Sequence, residues 1–430
     1  MNFSKYEKYK YSGVQWLGEI PEQWEIKRLK DVGKVVLGKM LKTNEEDGYQ
    51  LKEYLKSKNI GWLNVNLEQV ESMYFNKYEL DIYRIKENDL LLSEGGEVGK
   101  TCIWRNELDE CYIQNSVHKV TINKFNSPFF YLYYSFIIGS LGVYDAVVNQ
   151  VSIKHLTREK LIIIPVVAPP LSEQIRIGEY LNEKTAQIDK NIELLQDKKE
   201  KYQELRKTII NKTLTKGVDK TVELKDSNID WLGKIPKHWE VKRVKDLFNL
   251  ITDIAPNDND CQLLSIYTSI GVKPRAELEQ RGNKAVTTDG YWIVKKGDFI
   301  VNKLLAWMGA IALSDYDGVT SPAYDILRKK IPLVQKYYEY LFRTEAAQAE
   351  FKRNSRGIME VRLRLYFDKF GAISVPAQSL EEQQQIVDYL DEKTQKIDAI
   401  IAKIDEKIVA LNEFRKTLIN DAITGKIKVV

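Results

Sequence analysis

Lys39, Lys42, Lys56, Lys58 and Asn59, then Lys100, Gln114 and Asn115, place ammonium and amide groups in turns of the first part of this 430-residue chain. Past the midpoint, Arg275, Arg281, Asn283, Lys284, Lys303, Ser321, Arg353, Asn354, Arg356, Arg362 and Arg364 repeat the theme with more guanidinium groups. Such side chains hold phosphates, and Arg, Gln and Asn also offer paired groups that match base edges. Each one alone is more often a solvated surface charge. Their recurrence in two comparable blocks is what points to nucleic acid. A net charge of +4 adds little, so any basic surface must come from local clustering.

Motifs for catalysis are incomplete. Glu94-Gly95-Gly96-Glu97-Val98-Gly99-Lys100-Thr101 ends like a phosphate-binding loop, but Glu94 stands where the first glycine is needed and no helix pattern follows. A glycine turn carrying Lys100 beside phosphates is the expectation. Asn126-Ser127-Pro128-Phe129 and, more loosely, Thr320-Ser321-Pro322-Ala323-Tyr324 resemble the Asn/Asp-Pro-Pro-aromatic tetrad with which amino-methyltransferases hold a flipped base. Neither has both prolines and no Phe-x-Gly-x-Gly donor loop occurs, so both read as turns. The best Glu-x-Lys, Glu223 to Lys225, falls in a connector rather than a nuclease core. His118, His155 and His238 lack partners at ligand spacing, and Cys102, Cys111 and Cys261 show no C-x-x-C. We therefore expect no catalytic, cofactor-binding or metal-binding residue on this chain.

Two groups of turns need a scaffold, and the chain writes one twice. Leu171 to Lys216 returns as Leu380 to Gly425 at a constant offset of 209 residues. Gln174 matches Gln383, Glu183-Lys184-Thr185 matches Glu392-Lys393-Thr394, Ile188-Asp189 matches Ile397-Asp398, and Arg206-Lys207-Thr208 matches Arg415-Lys416-Thr417. A seven-residue ladder runs Leu181, Ile188, Leu195, Tyr202, Ile209 in the first copy and Leu390, Ile397, Ile404, Leu411, Leu418 in the second. Heptad-spaced apolar residues on a charged background specify a long helix with one narrow seam, which needs a partner. Roughly 43 helical residues make a rod of about 65 Å. The natural partner of each seam is the other copy, running antiparallel, which gives the chain approximate two-fold symmetry.

A second repeat opens each block between the rods: WLGEIPEQWEIKRLKD from Trp16 to Asp31 returns as WLGKIPKHWEVKRVKD from Trp231 to Asp246. Its tryptophans suit a buried anchor, and its alternation of charged and apolar residues suits a strand. Inside the blocks, Asn88-Asp89-Leu90-Leu91-Leu92 parallels Gly297-Asp298-Phe299-Ile300-Val301, and Phe129 to Phe136 parallels Tyr337 to Phe342. Short apolar runs between turn residues predict mixed domains with more strand than helix. The expected fold is α+β: two mixed α/β domains, residues 1–168 and 218–376, separated by long antiparallel coiled-coil helices over 169–217 and 377–430. A 43% hydrophobic, 29% charged composition describes a soluble protein, and no apolar run is long enough to span a bilayer. With no secretion signal at the N-terminus, a cytoplasmic location is expected.

The paired WLG-x-IP-x-x-WE openings, the APPLSEQ and AQSLEEQ helix starts and the repeated EKT-x-x-ID and RKT-x-IN signatures resemble the specificity (S) subunits of Type I restriction-modification systems over essentially the whole chain. The resemblance implies a non-catalytic, DNA-binding subunit whose two target-recognition domains each read half of a split site with a fixed spacer. It also implies docking of two methyltransferase (M) subunits and of restriction (R) subunits, which would use S-adenosylmethionine, ATP and Mg. Two other readings of the residues are a self-contained modification or restriction enzyme and a coiled-coil tethering protein. The missing donor and nuclease motifs count against the first.

Overall fold

A computed structural model describes residues 4–147, 155–268, 270–277, 288–357 and 362–429. The chain forms two compact units, Met1–Leu195 with Asp405–Val430, and Gln196–Ile404. Each unit contains one head, the beginning of one long helix and the end of the other, because the helices span Leu171–Lys216 and Leu380–Ile423.

Both heads are built on a four-stranded antiparallel sheet of the same order. In the first unit the strands run Gly33–Leu37, Val117–Ile122, Leu90–Ser93, Thr101–Ile103; in the second, Phe248–Ile251, Tyr324–Lys329, Phe299–Asn302, Ile311–Leu313. Strands Leu90–Ser93 and Phe299–Asn302 start from equivalent turns in which Asn88 (φ 68°) and Gly297 (φ 91°) take the left-handed conformation that amides and glycine tolerate. The next residue closes each turn: Asp89 Oδ2 accepts from the Lys86 amide at 2.8 Å and Asp298 Oδ2 from the Lys295 amide at 2.9 Å. The first head adds a three-stranded sheet, Glu71–Asn76, Tyr49–Leu55, Tyr112–Ile113, whereas the second carries the pairs Leu264–Tyr267 with Gly271–Pro274 and Trp292–Val294 with Gly318–Thr320.

The repeated tryptophan motif clamps each head to the start of its helix. Strand Glu25–Arg28 pairs with Pro165–Ala168, and Glu240–Arg243 with Ser374–Ala377, each directly ahead of a long helix. Trp24 and Trp239 are fully buried. Their indole N–H groups donate to Glu173 Oε2 at 3.1 Å and Glu382 Oε1 at 2.8 Å, acidic residues in the first helical turn. The next residue of each repeat ties down a second element: Gln174 Oε1 accepts from the Ser127 amide at 2.9 Å and Gln383 Oε1 from the Val334 amide at 2.8 Å. These amides lie just before helices Pro128–Ser140 and Gln335–Phe342, where backbone donors lack intrahelical partners. Both helices are rich in aromatic residues that fill the head cores. Farther along, the Tyr133 hydroxyl bonds Thr185 Oγ1 at 2.9 Å and the Tyr340 hydroxyl bonds Thr394 Oγ1 at 3.4 Å.

Within each unit the two helical segments run antiparallel. Leu181, Ile188, Leu418, Ile419 and Ile423 join the first core, with Ile192 and Leu411 packed at its margin. Leu390, Ile386 and Leu214 join the second, with Ile209 and Ile210 at its margin. Ile397 and Ile404 are buried, and Leu195 is half-buried. The repeated Asp and Arg meet reciprocally: Arg415 pairs with Asp189 at 2.6 Å in the first unit, and Arg206 with Asp398 at 2.9 Å in the second. Among the described residues no helix is long and apolar enough to cross a membrane.

Candidate nucleic-acid interface

Antiparallel pairing brings three turns of the first head to one end of its main sheet. Leu37 lies opposite His118, and Ser93 opposite Val117. The segments that follow Leu37 and Ser93, and the one that precedes Val117, therefore emerge together. Lys39 bridges Gln114 in parallel fashion, and the Asn115 amide donates to the Lys39 carbonyl at 2.9 Å. The Glu94 amide donates to the Ser116 carbonyl at 2.8 Å. A fourth turn joins them, since the Ser57 amide donates to Ser116 Oγ at 3.0 Å. Lys39, Lys100, Gln114 and Asn115 thus share one locale, with Lys58 on the adjoining turn.

Their side chains are not equally available. Lys39 is buried, ion-paired to Glu79 and set over the Tyr49 and Phe75 rings at 5.5 and 5.9 Å. Lys42 pairs with Glu46 at 2.5 Å and lies 4.6 Å from the centre of Tyr49. Lys58 is exposed, 2.8 Å from Gln69 Oε1. Beside it, hydrogen bonds from Lys56 and then Tyr54 hold the Glu71 carboxyl down at about 2. Asn59 is spent on structure, with its amide donating to the Asn66 carbonyl at 2.9 Å and the Gln69 carbonyl at 3.2 Å. Gln114 Oε1 accepts from the Ser116 amide at 3.1 Å, and its amino group donates to Asn115 Oδ1. The Asn115 amino group is not used in this pair.

Glu94 to Lys100 is a strand-to-strand turn that runs directly into Thr101–Ile103. Lys100 pairs with Glu97 in the turn. Gly99 has φ 80°, and an added Cβ would overlap the buried Tyr144 ring, whereas Gly96 has φ 76° and open space around it. Gly99→Ala should therefore cost about 2–5 kcal/mol from backbone strain and overpacking, and Gly96→Ala about 1–2 kcal/mol from strain alone. Urea unfolding of the two variants measures the difference; equal losses would contradict the Tyr144 contact.

The second head repeats the arrangement with other side chains. Ser321 to Ala323 joins Gly318–Thr320 to the central strand as Gln114 to Ser116 does in the first head, and Ser321 Oγ accepts from the Ala323 amide at 3.2 Å. Lys303 occupies the place of Glu94. Its ammonium donates to the Pro322 carbonyl at 3.1 Å and lies 3.2 Å from Asp325 Oδ1. Burial raises the Asp325 carboxyl above its usual range against the opposing pull of Lys303. Arg275 lies in a short turn and its amide donates to the Leu263 carbonyl at 2.8 Å; burial raises the pKa of the half-buried Tyr324 hydroxyl, against a smaller opposing pull from the Arg275 charge. Arg353 lies in the last turn of helix Glu345–Asn354 and pairs with Glu350, and Arg356 follows that helix and pairs with Asp368 at 2.6 Å. Arg281, Asn283 and Lys284 lie outside the described residues.

Sequence reasoning passed over Glu94 and Asp325 as site neighbours. Glu94 pairs with His155 at 2.9 Å. The signal was present, since Glu94 and Lys303 stand at the same offset as the helices, but the change of charge concealed it. His238 serves the helix start, 3.0 Å from Glu382, and His118 is buried in the sheet, where desolvation lowers its pKa. Cys102 and Cys111 are buried, and desolvation pushes the Cys111 thiol up to about 12. No group of three potential metal ligands occurs among the described residues.

The family described as Type I restriction modification DNA specificity domain matches residues 21–203 and 236–410. The Type I restriction enzyme MjaVIII specificity subunit of Methanocaldococcus jannaschii is 23% identical over 459 aligned residues, covering all of this chain and 98% of that one. A chain from a structure describing complex assembly and conformational transition of the type I R-M system superposes with a TM-score of 0.68 at 15% identity, covering 94% of this chain and 98% of that chain. The HsdS subunit from Thermoanaerobacter tengcongensis gives a TM-score of 0.57 at 15% identity, covering 95% and 98%. With the family's domain matched twice and over most of its length, the chain belongs to the Type I restriction-modification DNA specificity family, as a specificity subunit.

Proposed function

We propose that this chain reads a two-part DNA target for a Type I restriction-modification complex. Residues 1–168 recognise one half and residues 218–376 the other, while the long helices at 169–217 and 377–430 set the interval and dock the M and R subunits. The observation that carries this reading is the repetition of one turn geometry with unequal contents. Gln114-Asn115 and Glu94 in the first head correspond to Ser321-Pro322 and Lys303 in the second. Equivalent readers with different hydrogen-bonding groups suit two different half-sites. Seam residues Leu181, Ile188, Leu195, Ile209, Leu390, Ile397, Ile404, Leu411 and Leu418 hold the helix pair together.

The chain itself is non-catalytic. Methyl transfer with S-adenosylmethionine, and cleavage with ATP and Mg, belong to the partner chains. The purified chain given duplex DNA and S-adenosylmethionine should transfer no methyl groups. Adding its M subunits should produce methylation at a split site, and methylation by the chain alone would overturn this division of labour.

A further inference from the structure

The last turn of helix Glu345–Asn354 and the segment after it carry a charge pattern that the first head lacks. Lys352 to Lys369 contains six basic and two acidic residues. The equivalent stretch of the first head, Val143 to Lys160, contains three basic and two acidic residues. The correspondence rests on one bond made twice: the Leu156 amide donates to the Glu94 carbonyl, and the Leu365 amide to the Lys303 carbonyl, both at 2.9 Å.

Within this segment Arg356 and Arg364 face each other across an antiparallel bridge, each amide donating to the other's carbonyl at 2.9 Å. Residues directly opposite in such a pair project their side chains to the same face, so two guanidinium side chains leave from one face of the bridge, and both residues are exposed. Like charges directly opposite are destabilising. Asp368 offsets Arg356, and among the described residues no carboxylate pairs with Arg364. A group with negative charge and several acceptor oxygens would recover what the repulsion costs, and a phosphate suits two neighbouring guanidinium groups. The Leu365–Lys303 bond sets this pair beside the turn at Ser321 and Pro322.

We propose that Arg356 and Arg364 form a clamp for the DNA backbone, a sequence-independent phosphate anchor in the second head; the same 209-residue offset puts Val147 and His155 at these positions in the first. This rests on the reading of the heads as DNA-binding. The clamp makes the two heads unequal: the second adds phosphate neutralisation to whatever its turns read, while the first depends more on its amide-bearing turn.

The test uses the full-length chain assembled with its M subunits and a fluorescently labelled duplex of random sequence, because phosphate contacts need no target. Affinity is followed between about 50 and 200 mM salt. Neutralising two phosphates contributes about 1.8 to the slope of log affinity against log salt, so the wild type should lose roughly twelvefold more affinity over this range than Arg356→Gln/Arg364→Gln. The Arg356→Lys/Arg364→Lys variant keeps both charges and should retain most of the slope, which also guards against a folding defect in the glutamine variant. An unchanged slope in the glutamine variant would overturn the clamp. So would loss of subunit assembly with DNA affinity intact, which would assign the arginines to an acidic protein surface. If the wild-type complex bound DNA without salt dependence, the underlying reading of the heads would fail instead.

Discussion

Trp24→Ala should destabilise the first unit by about 3–5 kcal/mol, more than Trp239→Ala destabilises the second. Both indoles are fully buried and both donate to a glutamate at a helix start, so each truncation opens a cavity and removes a hydrogen bond. The surroundings of the glutamates separate the two cases. Glu173 is buried and shares its carboxylate with the Tyr6 hydroxyl, whose pKa is raised by burial and by that carboxylate. Glu382 has a side chain 23% exposed and a second partner in His238, so water can replace the lost donor. An unsatisfied buried acceptor adds about 1–3 kcal/mol, and more when it is charged. Trp24→Phe keeps most of the volume and should isolate that hydrogen-bond contribution. Urea unfolding reports all three, and a Trp24→Ala loss under about 1 kcal/mol would contradict the anchoring role.

Changing helical phase should have a still larger effect on function. Two residues inserted after Lys199, and two at the equivalent Ile408, rotate each downstream segment by about 200° and turn the apolar seam away from its partner. Assembly should be lost. Four residues at both places give about 400°, within roughly 40° of the original face, and lengthen each helix by about 6 Å. Insertion in both helices lets Arg415–Asp189 and Arg206–Asp398 form again on either side of the insertion. The four-residue variant should therefore fold and methylate a site whose unread interval is longer. Sequencing of methylated sites in cells that supply the M subunits distinguishes the two variants, and equal activity of both at the original site would contradict the helical ruler.

The long helices were legible because a heptad ladder is local information and the constant offset marks its two copies. The roles of the repeated polar residues were not legible, since their partners are distant in sequence. Gln174 serves an amide at Ser127, Glu173 an indole at Trp24, and Asp189 a guanidinium at Arg415. The common sheet was hinted at by the Asn88-Asp89 and Gly297-Asp298 turns, but the smaller sheets around it differ between the heads, and no sequence periodicity announced that. Among the turn residues, type alone could not tell which side chains stay available. Lys39 is drawn into a pair with Glu79, and Asn59 into two backbone carbonyls, by segments that arrive only on folding.

Exchanging one head shows whether each head reads its own half of the target. Residues 218–376 of this chain can be replaced by the equivalent head of a relative with a different target, keeping both long helices. Methylated sites are then sequenced in cells that express the hybrid with its M subunits. Independent heads give one new half-site, one unchanged half-site and the original interval between them. A change in both halves, or no change in either, would contradict that independence.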